Sequence, residues 1–188
     1  MARVIIFLGP PGAGKGTQAV MLAKELNYLH LSTGEMFRSA MEQGTDIGKQ
    51  IKTLVDAGNL VPDAVTCSLV HERLSQPDAT TGIILDGFPR NIDQAEELEN
   101  ILTKLGASIQ VVIDVTVPEA VLFERIRRRG RESGRSDDTQ DVLANRYQIY
   151  LKETSPVSAF YENKGLLRTI DGLGSVEEVA SRIKAELA

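Results

Sequence analysis

The chain has 188 residues, one cysteine and a formal net charge of −5. That length suits one domain with a buried core and room for small inserted subdomains. The lone Cys67 excludes an internal disulfide and a cysteine-rich zinc site, no apolar run approaches the roughly 18 residues of a membrane span, and the acidic balance gives no support for nucleic-acid binding.

Residues 4–8 form the first apolar run and predict a buried strand; no leader pattern precedes it, so no signal peptide is expected and the cytoplasm is the expected location. It leads directly into Gly9-Pro10-Pro11-Gly12-Ala13-Gly14-Lys15-Gly16-Thr17-Gln18. The glycines allow a tight turn, and a helix is predicted to begin at Lys15 with its unpaired N–H groups facing the loop. The spacing fits G-x-x-x-x-G-K, in which those N–H groups and the lysine ammonium hold the β- and γ-phosphates of a nucleoside triphosphate. Gly16 follows the lysine, and the hydroxyl expected beside magnesium arrives one place later, as Thr17.

Further short apolar runs at 29–31, 83–85, 111–115 and 167–170 alternate with helical patterns, which is how a parallel sheet covered on both faces reads. Residues 32–61 read as helical yet fall between the second and third strands. Cys67 reads as a small apolar filler in the next helix. The third strand ends in Asp86-Gly87-Phe88-Pro89-Arg90, where ligands of open parallel sheets bind. An acid there can hold nucleotide-bound magnesium, and Arg90 offers a planar fork for phosphate. Pro118 is expected to open a helix that runs through Arg129 until Gly130 stops it, and Asp137 with Gln140 resembles a capping box. Between them, residues 130–135 read as a polar loop with hinge glycines. After the last strand, Ser175 with Glu178 is a second capping box. No repeat or linker appears, so one α/β domain is expected.

Arginines indicate the reaction type. Arg38, Arg90, Arg125, Arg129, Arg135 and Arg146 lie near element ends or in the polar loop, and a loose phosphoryl transition state is stabilised mainly by positioned positive charge. Arg127, Arg128 and Arg131 read as solvated charges. Neither histidine is a candidate base: His30 falls in the second strand and His71 in a helix, as structural or exposed residues.

Five ordered motifs together resemble the adenylate kinase family in its short-lid form: residues 9–18; Ser32-Thr33-Gly34-Glu35-Met36-Phe37-Arg38; Asp56-Ala57-Gly58-Asn59-Leu60-Val61; Asp86-Gly87-Phe88-Pro89-Arg90 with Gln94; and Gly134-Arg135-Ser136-Asp137-Asp138 with Arg146. The resemblance implies a P-loop fold with a five-stranded parallel sheet, a monophosphate-binding helical insertion at 32–61, a lid at 128–138, and a core of 1–31, 62–127 and 139–188. It also implies a monomer that catalyses ATP + AMP ⇌ 2 ADP with magnesium. By position, Gly12, Ala13, Gly14, Lys15, Gly16 and Thr17 would wrap the ATP phosphates. Arg129 would hold ATP from the lid hinge, Arg125 would lie against its adenine and phosphates, and Gly174 would contact its base. Thr33, Arg38, Asn59, Leu60, Val61, Gly87, Phe88, Pro89, Arg90 and Gln94 match the AMP site, which Arg135 and Arg146 would complete on lid closure. Lys15, Arg90, Arg125, Arg129, Arg135 and Arg146 would form the catalytic set, and Asp86 would organise magnesium through water.

Departures from the family pattern are few. The short lid implies no zinc site. Glu35 stands where aspartate is common, and Asn59 where lysine is frequent. Asn91 is more typical of UMP/CMP kinases, the alternative substrate class, although Thr33 and Gln94 favour AMP. A P-loop switch NTPase is the alternative of a different class. Its only support is Asp171-Gly172-Leu173-Gly174, a D-x-x-G match placed after the last strand, with no Asn-Lys-x-Asp motif to read a base.

Overall fold

The computed structural model describes residues 2–133 and 139–187, with the backbone alone for 129–133. Each apolar run forms a strand: β1 (Arg3–Leu8), β2 (Leu29–Ser32), β3 (Gly82–Asp86), β4 (Ser108–Thr116) and β5 (Leu167–Asp171). They make one five-stranded sheet in the order β2-β3-β1-β4-β5, with every pairing parallel. The helices are α1 (Lys15–Leu26), α2 (Thr33–Glu42), α3 (Asp46–Asp56), α4 (Asp63–Leu74), α5 (Ile92–Lys104), α6 (Glu119–Ser133), α7 (Gln140–Ile149), α8 (Ser155–Glu162) and α9 (Val176–Ala185). A π-helical turn, Tyr150–Thr154, joins α7 to α8.

The centre of the sheet explains the unbroken apolar run at its start. Side chains of β1 alternate between two cores. Val4, Ile6 and Leu8 pack with Leu85, Leu98, Val112 and Tyr161 under α4, α5 and α8. Ile5 and Phe7 pack with Leu22, Ile113, Leu122 and Ile183 under α1, α6 and α9. Both faces are covered, so both must be apolar, and each such side chain contributes about 1.5–3 kcal/mol on burial. Parallel pairing also brings every strand's carboxyl end to one edge, where Leu8 and Asp86 sit on neighbouring strands.

Between β2 and α4, helices α2 and α3 form a unit with its own small core of Phe37, Ile51 and Val61. Ser32 ends β2 and caps α2 by accepting from the Glu35 N–H at 3.4 Å, and Thr45 caps α3 from Gly48 at 3.0 Å. The two helices touch closely because Gly48 has no side chain; a Cβ there would overlap the Ala40 carbonyl.

Two sequence expectations about helix ends are corrected. Helix α6 opens where Pro118 accepts the first N–H bonds from Val121 and Leu122, but it does not stop at Gly130. It continues to Ser133, so four positions expected in a polar loop, 130–133, are helical. Glycine costs a helix only about 1 kcal/mol relative to alanine, and its neighbours Arg128, Arg129, Arg131 and Glu132 are good helix formers. The cap of α7 is Thr139, whose hydroxyl accepts from the Val142 N–H at 3.5 Å. The expected cap, Asp137, lies outside the described residues, as do Gly134 and Arg135. At the other end of the chain the expected Ser175–Glu178 capping box forms in full. Cys67 sits half-buried in α4 against the core, where burial pushes its thiol up to about 11. Among the described residues no helix is long and apolar enough to cross a membrane.

Candidate active site

At the carboxyl edge of the sheet, residues 9–14 wrap the turn between β1 and α1. Gly12 takes φ 85°, and a Cβ there would lie 2.8 Å from Ile126 Cγ1 of α6, so backbone conformation and packing both demand glycine. Helix α1 starts at Lys15 as expected, and its cap residue Gly14 offers no side-chain hydrogen bond. Its first N–H groups therefore keep their capacity for an anion. Lys15 folds back over the loop and donates from Nζ to the carbonyls of Gly9 at 2.7 Å and Pro10 at 2.8 Å. Burial pushes its ammonium down to about 8; Asp86 and Asp114 pull it back up, while Arg90 and Arg146 push it further down.

Arg125 ties this loop to the turn after β5, donating to Ala13 O at 3.3 Å and Gly172 O at 2.9 Å. Gln18 adds a bond to Val176 O at 2.9 Å. Gly174 has φ 105°, and a Cβ there would run into Glu178, the capping-box partner of Ser175. The need for glycine at 174 is thus met by the turn itself.

A solvent-open cleft runs from the loop to the α2 side, lined by Lys15, Thr17, Glu35, Arg38, Asp86, Arg90 and Arg146 among others. Asp86 ends β3 beside the start of α1; a Cβ built on Gly16 would lie only 3.2 Å from Asp86 Oδ2. His30 borders this point from β2, its Nε2 4.0 Å from Asp86 Oδ2. His71 is exposed on α4.

The far half of the cleft is held by side chains. The Thr33 hydroxyl donates to Gly87 O at 2.8 Å, and Arg90 Nε donates to the same oxygen at 2.9 Å. Gly87 has φ 77°, and a Cβ there would lie 3.1 Å from Thr33 Oγ1, so glycine lets the β3 turn close against α2. The Arg38 guanidinium covers Gly34. Gln94 is buried, with its Oε1 accepting from the Arg90 N–H at 2.8 Å and its Nε2 donating to Asp63 Oδ1 at 2.6 Å. Thr33, Arg38, Asn59, Leu60, Val61, Gly87, Arg90, Gln94 and Arg146 all line this second pocket. Phe88 is fully buried in the core, which leaves only its backbone for the site; Pro89 borders the cleft beside Lys15.

Of the expected residues, then, the fold brings together those of the phosphate loop, Thr33, Arg38, residues 59–61, Asp86, Gly87, Arg90, Gln94, Arg125 and Arg146. The Arg129 side chain and Arg135 lie outside what is described. Several contributors carried no recognisable signal. Asp63, which looks like an ordinary first-turn acid, holds Gln94. Thr154, in the π-helical turn, donates to Arg90 O at 2.8 Å, a common place for such a turn to matter. Asn145 donates to Ala57 O and Asn59 Oδ1, both at 2.9 Å, fastening the end of the α2–α3 unit to α7. Asn91, whose identity suggested a pyrimidine enzyme, is the cap of α5 and a donor to Asp63. That is a role in the scaffold, and it explains the residue without a pyrimidine.

A phosphate loop, the Asp86 carboxylate beside it and converging guanidiniums in one cleft suit the movement of a phosphoryl group between two anionic substrates. Among the described residues no group of three or more His, Cys, Asp or Glu side chains could hold a metal ion by itself. A sequence model of the family described as Adenylate kinase matches residues 7–166. The chain is 47% identical to an adenylate kinase of Mycobacterium tuberculosis over 178 residues, 95% of each chain. It is 44% identical to that of Kocuria rhizophila over 187 residues, covering 100% of this chain and 99% of the other. It is also 44% identical to that of Stenotrophomonas maltophilia strain K279a over 183 residues, 97% and 98% of the two chains.

Proposed function

This chain belongs to the adenylate kinase family, and we propose that it moves a phosphoryl group from MgATP, held on the Gly12–Thr17 loop, to AMP held between α2, Asp86-Gly87-Phe88-Pro89-Arg90 and Gln94. The observation that carries this assignment is that Arg90 and Arg146 line both the phosphate-loop cleft and the second pocket. Groups shared by two substrate sites stand where a phosphoryl group in flight must pass.

The roles follow from the chemistry. Lys15 follows the transferring group, Arg38 and Arg90 grip the acceptor phosphate, and Arg146, with Arg135 on lid closure, steadies developing charge, joined by Arg125 and Arg129 from the donor side. The acceptor is already a phosphate oxygen, so no general base is needed. The place beside Asp86 fits magnesium carried by a nucleotide: Gly16 leaves the carboxylate uncovered, and the Thr17 hydroxyl stands in the first turn of α1. When bound, the ion would neutralise β- and γ-phosphate oxygens, with Asp86 holding it through water. Gln94 presents an amide to the adenine edge.

Water competes with AMP for the phosphoryl group, and closure solves that problem. In this proposal residues 32–61 are the acceptor-binding insertion and 128–138 the lid. Support for the first is that α2 and α3 carry a separate core. The test is a coupled assay of MgATP with AMP, CMP, UMP, GMP and dTMP, beside an acceptor-free control. Rapid ADP formation with AMP alone is expected. Turnover chiefly with CMP and UMP would move the substrate assignment, and equal turnover without acceptor would overturn the transfer reaction.

A further inference from the structure

Gln94 poses a problem of orientation that its own side chain cannot solve. A carboxamide turned by 180° keeps its shape but exchanges donor and acceptor. The edge of adenine presents an acceptor at N1 and a donor at N6, whereas hypoxanthine and guanine present a donor at N1 and an acceptor at O6. One amide orientation therefore suits AMP, and the reverse suits IMP or GMP.

Around Gln94 the orientation is fixed at both ends. Its Oε1 accepts from the Arg90 N–H at 2.8 Å, and its Nε2 donates to Asp63 Oδ1 at 2.6 Å. An ionised carboxylate only accepts, so Asp63 dictates which end of the amide is nitrogen. Turning the amide would set N–H against N–H at Arg90 and oxygen against oxygen at Asp63. One N–H and one lone pair of Gln94 are left for a base in the pocket it lines. Asp63 is itself held: Asn91 Nδ2 donates to its two oxygens at 3.1 and 3.0 Å, while Asn91 Oδ1 accepts from the Gln94 N–H at 2.8 Å. The first turn of α4 and the cap of α5 thereby close a ring of hydrogen bonds around one amide.

We infer that Asp63 is a positioning residue for acceptor choice: by fixing the Gln94 carboxamide it makes the pocket select AMP over 6-oxopurine monophosphates such as IMP and GMP. Asp63 touches no substrate and acts through Gln94, so the inference rests on the proposed place of Gln94 at the adenine edge.

The test compares kcat/KM for AMP with kcat/KM for IMP in the full-length enzyme, its Asp63→Asn and Gln94→Ala variants, and the double variant. Asparagine keeps the size of aspartate but can donate or accept, so it lifts the constraint at the Nε2 end of Gln94 and leaves the Arg90 N–H alone to hold the amide. Asp63→Asn should lower the AMP/IMP ratio by about tenfold or more, the scale of a charge-assisted hydrogen bond lost from a partly buried site. Gln94→Ala should also collapse the ratio, and adding Asp63→Asn to it should change the ratio no further. An unchanged ratio in Gln94→Ala would overturn the place of Gln94 itself. A collapsed ratio there with a wild-type ratio in Asp63→Asn would overturn the positioning role alone, as would a further drop in the double variant. Asp63→Ser is the second variant should Asp63→Asn fold poorly; it accepts as well as donates, and the same fall in ratio is expected. A structural role alone would lower kcat/KM for both acceptors together and leave the ratio untouched.

Discussion

In the proposed assignment, the donor half of the cleft is made mostly of backbone, and the acceptor half mostly of side chains. Residues 9–17 shape the donor cradle through positive φ at Gly9, Gly12 and Gly14 and through the open N–H groups at the start of α1. Among the described residues Lys15 and Arg125 add side-chain bonds there, with Gln18 just beyond, and all three donate to backbone carbonyls. Across the cleft, Thr33, Arg90 and Gln94 are each fixed by a residue far along the chain. The difference follows from what each half must recognise. A triphosphate offers repeated, similar oxygens, which a row of N–H groups meets equally well. A base edge offers a pattern of donor and acceptor, which requires a side chain held in one orientation.

Arg90 belongs to both halves, and its loss tests whether they work as one. Its Nε braces Gly87, its N–H fixes Gln94 and its carbonyl is held by Thr154. Arg90→Ala removes the guanidinium and keeps the two backbone bonds, so the fold should survive. Turnover should fall by roughly 10³ or more, the scale of losing an arginine at a transferring phosphoryl group. Steady-state kinetics on a variant with a native circular dichroism spectrum checks this. A folded variant within tenfold of wild type would mean that the halves do not meet at this residue.

The same contrast explains what could be read from the sequence. The donor cradle is contiguous, so ten residues announce it. All five strands were legible because a doubly covered sheet needs apolar runs. The acceptor side was legible only where a motif is local, as in Asp86-Gly87-Phe88-Pro89-Arg90. Its bracing is non-local: Asp63 and Gln94 are 31 residues apart, Thr33 and Gly87 54, Arg90 and Thr154 64. Nothing in the residue types around Asp63 or Thr154 distinguishes them from ordinary helix polar residues. Asn91 pointed to the pyrimidine alternative for the same reason, since its bond to Asp63 spans 28 positions, while Thr33 and Gln94 kept the reading with AMP. The end of α6 was misread because a glycine surrounded by helix formers does not suffice to stop a helix.

Lys15 supplies a test with an intermediate effect, confined to the donor half. Burial sets its ammonium to lose its proton near pH 8, and the triphosphate needs it charged. Raising the pH through that value removes the competent form, so kcat/KM for MgATP should fall above about pH 8, approaching tenfold per pH unit. Bound phosphate favours the ammonium. The corresponding limb in kcat, and in kcat/KM for AMP at saturating MgATP, should therefore lie at higher pH. Rate profiles for the two substrates check the sign, and an MgATP profile flat to about pH 9.5 would remove Lys15 as the titrating donor-side group.

Asn145→Ala should give the smallest effect and fall on the opposite half. Asn145 binds Ala57 O and Asn59 Oδ1 at the rim of the acceptor pocket, where water can replace it. Such partly exposed bonds contribute about 0.5–1.5 kcal/mol each at most, so the KM for AMP should rise by roughly two- to tenfold. The adjoining contact remains, since Gly58 packs on Val142 and Arg146 without that amide. The KM for MgATP should stay within error, because no bond of Asn145 reaches residues 9–17. Equal rises in both KM values would mean that fastening the α2–α3 unit to α7 also sets the donor half, and the division between a backbone-built and a side-chain-built site would then fail at α7, the helix that carries Arg146.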